Sequence, residues 1–270
     1  MTTKGPAATL AQRLPPTWRS ALTSWYQAFN RSAPGRRVRW GNTRRAGPFS
    51  YHYGYDRGTP VDRYYIETFL ASQRPAISGD VLEIRDPGYT RRFGNHATSH
   101  VLDIDPGNPA ATIVGDLSHP DTLRDQQFDC VILTQTLQFL PDPSAALGHL
   151  YDRLRPGGVL LVTVPCTAKI DHEMPQSDFW RWTPSGLRQL LAKTCPRSEI
   201  VVGSFGNLTT MLGVALGLAQ EEFDAEELKR TEVSFPVIAT ATVRRLPGGV
   251  RRDAVFVPTP AHGLKGEESS

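Results

Sequence analysis

The chain is short of cysteine. Of its 270 residues only three are cysteines, Cys130, Cys166 and Cys195, far apart and without metal-ligand spacing. So sparse and odd a set excludes a disulfide framework and reads as reduced thiols in a cytosolic protein. Long apolar runs are also missing. The opening stretch MTTKGPAATLAQRLPP has no apolar core of signal-peptide length. The longest run, LTTMLGVALGLA at 208–219, is too short to span a bilayer and is interrupted by glycines and threonines. A formal charge of +3 falls well below the basic footprint of a dedicated nucleic-acid binder. A soluble, cytoplasmic protein is expected, with no membrane partner and with nucleic acid ranked below a small molecule.

What is present can bury one substantial core. Hydrophobic residues make up 39% of the chain, and at this length a second full domain is not expected. The ends, 1–16 and 247–270, are rich in proline, glycine and charge without periodicity, so both are expected to be mobile. Residues 17–78 read as a helical cap or lid. Trp18, Leu22, Trp25 and Phe29 recur there at helical spacing. Arg36, Arg37, Arg39, Arg44 and Arg45 follow in a segment broken by glycine and proline, either a solvated face or an anion site. A second helix over VDRYYIETFLAS is signalled by Thr59 as N-cap, Pro60 at the first helical position and Asp62 in the first turn.

The core is expected over 79–246. VLEI (81–84), HVLDID (100–105), ATIVGD (111–116), FDCVILT (128–134), GVLLVTVP (158–165), EIVVGSF (199–205) and PVIATATVR (236–244) are short apolar runs of strand length. Asp142-Pro143 opens one intervening helix, which RPGG at 155–158 ends; Thr183-Pro184 opens another, and an apolar helix is expected over about 207–222. Strands alternating with helices predict an α/β fold with a doubly wound, mostly parallel sheet.

Ligands of such sheets sit at the carboxyl ends of the strands, near the point where strand order reverses. Glu83 ends the first expected strand, Asp105 the second, 22 residues on (83 to 105), and Asp116 the third. That spacing suits an acid accepting hydrogen bonds from ribose hydroxyls, although any single one could be a solvated turn residue. A dinucleotide needs bare N–H groups on a glycine-rich turn for its pyrophosphate. EIRDPGYT offers one glycine and an extra carboxylate, Asp86. NAD and FAD are therefore disfavoured, and S-adenosylmethionine, a phosphate-free nucleoside carrying a sulfonium, fits.

The run from Glu83 to Asp105, GDL at 115–117, FDCVILTQTLQFL at 128–140 and LRPGGVLLVTVP at 154–165 resemble a class I S-adenosylmethionine-dependent methyltransferase. More narrowly, GYDRGTPVDRYYIETFL (54–70), YTRRFG (89–94), ILTQTLQ (132–138) and DFWRWT (178–183) are similar to a bacterial subgroup of methyltransferase-type-11-like domains. Members of that subgroup are often found beside, or fused to, sugar-transferring enzymes. The resemblance covers about residues 40–245. It implies a Rossmann-like sheet of seven strands under an N-terminal helical cap, with S-adenosylmethionine as cofactor. It also implies roles: Glu83 ordering the loop and approaching the methionyl end, Asp105 accepting from both ribose hydroxyls, and Asp116 taking the adenine amino group. The Leu117 amide would meet a ring nitrogen, and Thr134 and Gln135 would lie beside the methionyl portion and the methyl group. Arg85, Pro87 and Tyr89 depart from the small residues of the family pattern. Arg85 either pairs with the cofactor's carboxylate or obstructs the pocket.

Methyl transfer from a sulfonium is an in-line displacement, so orientation and exclusion of water matter most, and a base helps when the acceptor is a hydroxyl. KIDHEM (169–174) carries Asp171, His172 and Glu173; His172 is the candidate base, or else a surface histidine. Tyr51, Tyr55 and Arg57 from YHYGYDRG, with Trp180 from DFWRWT, are candidates for acceptor contact. Packing is the plain alternative, and one of Trp180 and Trp182 is expected to pack. The expected activity is methyl transfer to an oxygen or nitrogen of a small molecule, a saccharide or glycosylated natural product on the subgroup's account; a homodimer is compatible with the sequence. Two rivals stay open. One is a binding, regulatory or cyclase-like protein that keeps the fold without methylating; the other is a nucleic-acid methyltransferase that uses the arginine segment.

Overall fold

The computed structural model describes residues 41–249 and the backbone of 255–256. The helix expected near Trp18–Phe29, Arg36, Arg37 and Arg39, and nearly all of the 250–270 segment lie outside the described residues. The chain divides into units 1–46 and 47–270; of the first, one short turn of 3-10 helix, Gly41–Thr43, is described.

In the second unit β1 (Gly79–Ile84), β2 (Ala97–Asp103), β3 (Ile113–Val114), β4 (Phe128–Thr134), β5 (Leu154–Pro165), β6 (Ser198–Phe205), β7 (Ile238–Arg245) and β8 (Val255–Phe256) form one sheet. Its order is β3-β2-β1-β4-β5-β7-β6-β8. Neighbours from β3 to β5 are parallel; β7 runs antiparallel to both β5 and β6. The doubly wound, mostly parallel sheet expected from the sequence is present, with β7 making it mixed and β8 adding a strand.

Side-chain alternation decides the layering, because successive strand residues face opposite sides. β4 sends Cys130 and Ile132 to one side, Val131 and Leu133 to the other; β5 does the same with Val159 and Leu161 against Leu160 and Val162. A sheet apolar on both faces must be covered twice. One cover is α1 (Val61–Ser72), laying Val61, Tyr65, Ile66, Phe69 and Leu70 against it, together with the short α2 (Gly88–Phe93). The other is α3 (Pro143–Asp152) and α4 (Pro184–Thr194), through Ala146, Leu147, Leu150, Leu187 and Leu191. Burying each such side chain is worth roughly 1.5–3 kcal/mol, so the two covers hold the sheet. Then α5 (Leu208–Leu216) and α6 (Ala225–Lys229) follow β6.

Two expected caps form: the Asp142 carboxylate accepts from the Ala145 N–H at 3.0 Å, and the Thr183 hydroxyl from the Gly186 N–H at 3.1 Å. Thr59 does not cap. Pro60 is held in a bridge with Ala219, so α1 starts one residue later, and Thr59 donates its N–H to Glu221 while its carbonyl accepts from Gln220. RPGG lies inside β5, since α3 already ends at Asp152. β2 stops at Asp103, two residues early, where the Asp103 carboxylate takes the Asp105 N–H and turns the chain. YTRRFG, to which the sequence pattern assigns no secondary structure, is mostly α2. The three cysteines are free, and burial pushes the thiols of Cys130 and Cys166 up to about 12.

Candidate active site

Strand order reverses between β1 and β4, where the chain leaves the two strand ends in opposite directions. A cleft of about 730 Å³ opens there. Ile84 and Arg85 line it at the end of β1, Asp103 and Asp105 at the end of β2, Asp116 and Leu117 just past β3, Thr134 and Gln135 at the end of β4. A second cavity of about 260 Å³ lies under the 53–55 segment, the first turn of α1 and the 167–181 segment. Tyr55, Arg63, Tyr89, Thr134, Gln135 and Phe139 line both, so the two spaces adjoin.

Glu83 is buried at the end of β1 and does not line the cleft. Its carboxylate accepts from the Tyr89 N–H at 3.0 Å, the Thr90 N–H at 2.8 Å and the Thr90 hydroxyl at 2.8 Å. Burial raises its pKa, against those hydrogen bonds. The residue ties down the loop that follows it, but both oxygens are committed there and neither reaches the cleft, which corrects the expected approach to a methionyl group. Asp86 in turn takes the Gly88 N–H at 2.9 Å. The first amides of α2 are thus occupied by the protein's own carboxylates, and no pyrophosphate cradle remains.

At β2 two acids line the cleft, not one. Asp105 is exposed and accepts from the Gly107 N–H at 2.8 Å. Asp103, at the strand end itself, is half-buried, and the sequence reading missed it. Burial pushes the Asp103 carboxyl up, but the Asp105 N–H, Asn108 and the nearby Arg85 guanidinium hold it below the usual carboxylate range. The signal lay in the alternation: residues 103 and 105 share a strand face, and only the strand's end point decides between them. Asp116 accepts from the Ser118 N–H at 2.8 Å; Leu117 is buried beside it.

Among the described residues four non-glycine positions have positive φ, and three of them, Tyr53, Arg85 and Gln135, line the two cavities. Each such conformation costs on the order of 1–3 kcal/mol and persists where surroundings enforce it. For Arg85 (φ 74) they are the Leu102 carbonyl, accepting its N–H at 2.9 Å, and the Asn108 amide, donating to its carbonyl at 2.7 Å. The cleft stays open beside its exposed side chain. Gln135 (φ 46) donates its N–H to the Thr163 carbonyl at 2.9 Å, while its buried side-chain Nε2 has no partner.

The smaller cavity is polar on one side. The Tyr53 hydroxyl donates to Asp171 at 3.1 Å; burial foremost, then the Asp171 charge, push that phenol well above its usual range. The Lys169 ammonium sits 3.7 Å over the Tyr53 ring, with its pKa lowered by burial. Asp178 and Arg181 form a two-pronged pair at 2.6 and 2.7 Å. Asp62, half-buried on the first turn of α1, lines the same space, and burial raises its carboxyl pKa. Sequence reasoning saw Asp62 only as a helix-start acid.

Four of the expected acceptor-side residues lie elsewhere. His172 is exposed and outside both cavities, its Nδ1 3.2 Å from the Lys169 ammonium and its ring against His52. The Asp171 carboxylate takes the Glu173 and Met174 N–H groups, and that turn carries His172 outward. Tyr51, 59% exposed, lines neither cavity. Arg57 is committed to Glu222 and lies over the Phe49 ring. Trp180 donates its indole N–H to the Leu140 carbonyl at 2.9 Å and leans on Trp182, which packs on the core. Tyr55 lines both cavities.

A doubly wound sheet with an acid-lined cleft at its switch point, next to a second cavity, is an arrangement in which a nucleoside-type ligand and a second molecule can sit side by side. The sequence matches the profile of the family described as Methyltransferase domain over residues 48–194, and the chain belongs to that family of S-adenosylmethionine-dependent methyltransferases. No curated protein matches the sequence. Similar solved structures include an S-adenosylmethionine-dependent methyltransferase from Archaeoglobus fulgidus (14% identity, 73% of this chain and 100% of that one, TM-score 0.47). Another is the N-methyltransferase NodS from Bradyrhizobium japonicum WM9 with S-adenosylhomocysteine (14%, 71% and 90%, TM-score 0.44). A third is a methyltransferase complexed with the Haloferax volcanii Trm112 methyltransferase activator (17%, 69% and 92%, TM-score 0.47). Among the described residues no helix is long and apolar enough to cross a membrane, and no cluster of His, Cys, Asp and Glu could hold a metal.

Proposed function

We propose that the larger cleft holds S-adenosylmethionine and the smaller cavity a small-molecule acceptor, methylated on oxygen or nitrogen. The observation that carries this is the pair of adjoining spaces, with Thr134 and Gln135 between them. The donor set fits the cofactor. Asp103, ahead of Asp105, offers a carboxylate to ribose hydroxyls, and Asp116 offers one to an amino group. Arg85 supplies a cation beside Asp103, suited to a carboxylate. When bound, S-adenosylmethionine supplies an electrophilic methyl group on a sulfonium.

The chain's own part is orientation and exclusion of water. Tyr55, Tyr89 and Phe139 wall the junction with rings, and the Tyr53, Lys169 and Asp171 group closes the far side. Rings with carboxylates nearby suit a saccharide or glycoside, the acceptor class carried over from the sequence resemblance. The open cleft beside Arg85 weighs against the rival in which the fold has lost its ligand.

Titration calorimetry with S-adenosylhomocysteine tests the reading. Asp103→Asn and Asp116→Asn should each weaken binding roughly 10- to 100-fold, the loss expected of one charged hydrogen bond. Tyr51→Phe should leave it unchanged. Failure of the native chain to bind would overturn the assignment of the cleft.

A further inference from the structure

The smaller cavity carries unmet demands of both signs. Buried polar atoms almost always find partners, so unpaired ones in a cavity wall point to a missing molecule. Gln135 Nε2 is a buried donor without a partner, and Gln138 Oε1 a buried acceptor without one; both residues line this cavity. The third group is Asp62. Of the carboxylates on the wall, Asp171 is held by Tyr53 and Asp178 by Arg181. Asp62 belongs to no ion pair among the described residues, and its support comes from main-chain N–H groups of its own turn. An unpaired donor, an unpaired acceptor and a carboxylate held only by main-chain N–H groups are met together by hydroxyl groups, which both donate and accept.

Charge says the same. The wall holds Asp62, Asp171 and Asp178 against Arg63, Lys169 and Arg181, a sum of zero. Tyr53 and Tyr89, whose pKa values burial raises, stay neutral beside them. A neutral guest is matched, and about 260 Å³ holds one ring-sized part of it.

Resting on the donor and acceptor assignment above, we propose that the acceptor is a neutral polyhydroxylated molecule methylated on oxygen, with Asp62 as the general base. One hydroxyl meets Asp62 and a second meets Gln135 and Gln138. The acceptor O–H bond breaks and its proton passes to a carboxylate oxygen of Asp62. The oxygen's electron pair forms the new bond to the donated methyl carbon, and the pair of the old carbon–sulfur bond stays on sulfur. Burial, by keeping the Asp62 carboxyl pKa high, makes it a better proton acceptor than an ordinary surface carboxylate.

The test uses the full chain, S-adenosylmethionine labelled in its methyl group, and a small-molecule extract of the source cells split into neutral, cationic and anionic fractions. Label should enter the neutral fraction and resist mild base, as an ether does. Asp62→Asn should lower the transfer rate by about 100-fold or more, the usual worth of a general base. Its affinity for S-adenosylhomocysteine, read by calorimetry, should stay at the native value, which also shows that the variant folds. Native transfer should fall as pH drops through the Asp62 carboxyl's pKa, a limb that needs no variant. Label in a charged fraction, base-labile label, or an Asp62→Asn rate near the native one overturns the proposal. A native chain that fails to bind S-adenosylhomocysteine overturns the donor-site reading itself, whereas binding without transfer to any fraction overturns the acceptor assignment and the base with it.

Discussion

Asp62 and Glu83 are both carboxylates raised by burial, and they answer to different demands. Glu83 spends both oxygens on the α2 amides, so Glu83→Gln sets an amide against those donors. A loss of about 1–3 kcal/mol is expected in urea denaturation, the penalty for a buried group left unpaired. Asp62 has no side-chain partner to lose. With its folded pKa above the unfolded value, its ionised form at neutral pH weakens the fold, a burden absent once it is protonated. Asp62→Asn should therefore raise Tm at neutral pH, and the gap should close as pH falls through the folded pKa. A lowered Tm would mean that the carboxylate is structural. At this scale the sequence told chemistry apart poorly. His172 was chosen for its ordinary pKa, yet the turn built by Asp171 faces it outward, and only the folded chain shows that.

The same capping chemistry carries different weight from helix to helix. Asp142 caps α3 near the surface, and Asp142→Ala should cost about 1 kcal/mol. Asn207 caps α5 while 3% exposed, and its amide also donates to the Glu227 and Arg230 carbonyls at 2.7 and 2.8 Å. Asn207→Ala should cost roughly 2–4 kcal/mol, a cap plus two carbonyls left unmet, measured in the same denaturation series. The turn after α5 matters to the site. Gly217 has φ 70, and a Cβ there would collide with the Ser50 carbonyl oxygen. Gly217→Ala should displace the 50–55 segment that carries Tyr53 and Tyr55, weakening acceptor use while leaving S-adenosylhomocysteine affinity near native. Asp142-Pro143 and Thr183-Pro184 cap as expected, whereas Thr59-Pro60 carries the same signal and does not, because the Pro60–Ala219 bridge, a contact 159 residues away in the chain (60 to 219), overrides it. Gly88–Phe93 was not legible, since six residues carry too little periodicity and their helix depends on Glu83 from another element.

For the molecule as a whole, strand type was readable wherever a run was apolar on both faces: β4 falls on the expected residues 128–134. The direction of β7 was not, because alternation is the same up or down a sheet. The position of β7 has a consequence for truncated chains. β5 and β6 are not paired; β7, which follows them both in the chain, lies between them and pairs with each along its length. A chain that ends before β7 therefore has no strand to join β5 to β6. Truncation after Pro236 should fix that state permanently and send the product into the insoluble fraction, whereas truncation after Gly249, which removes only β8 from the sheet, should leave it soluble. Without residues 238–245, one edge of β5 and one of β6 lack the strand they share, so a factor that shields such edges should bind the product ending at Pro236 and not the one ending at Gly249.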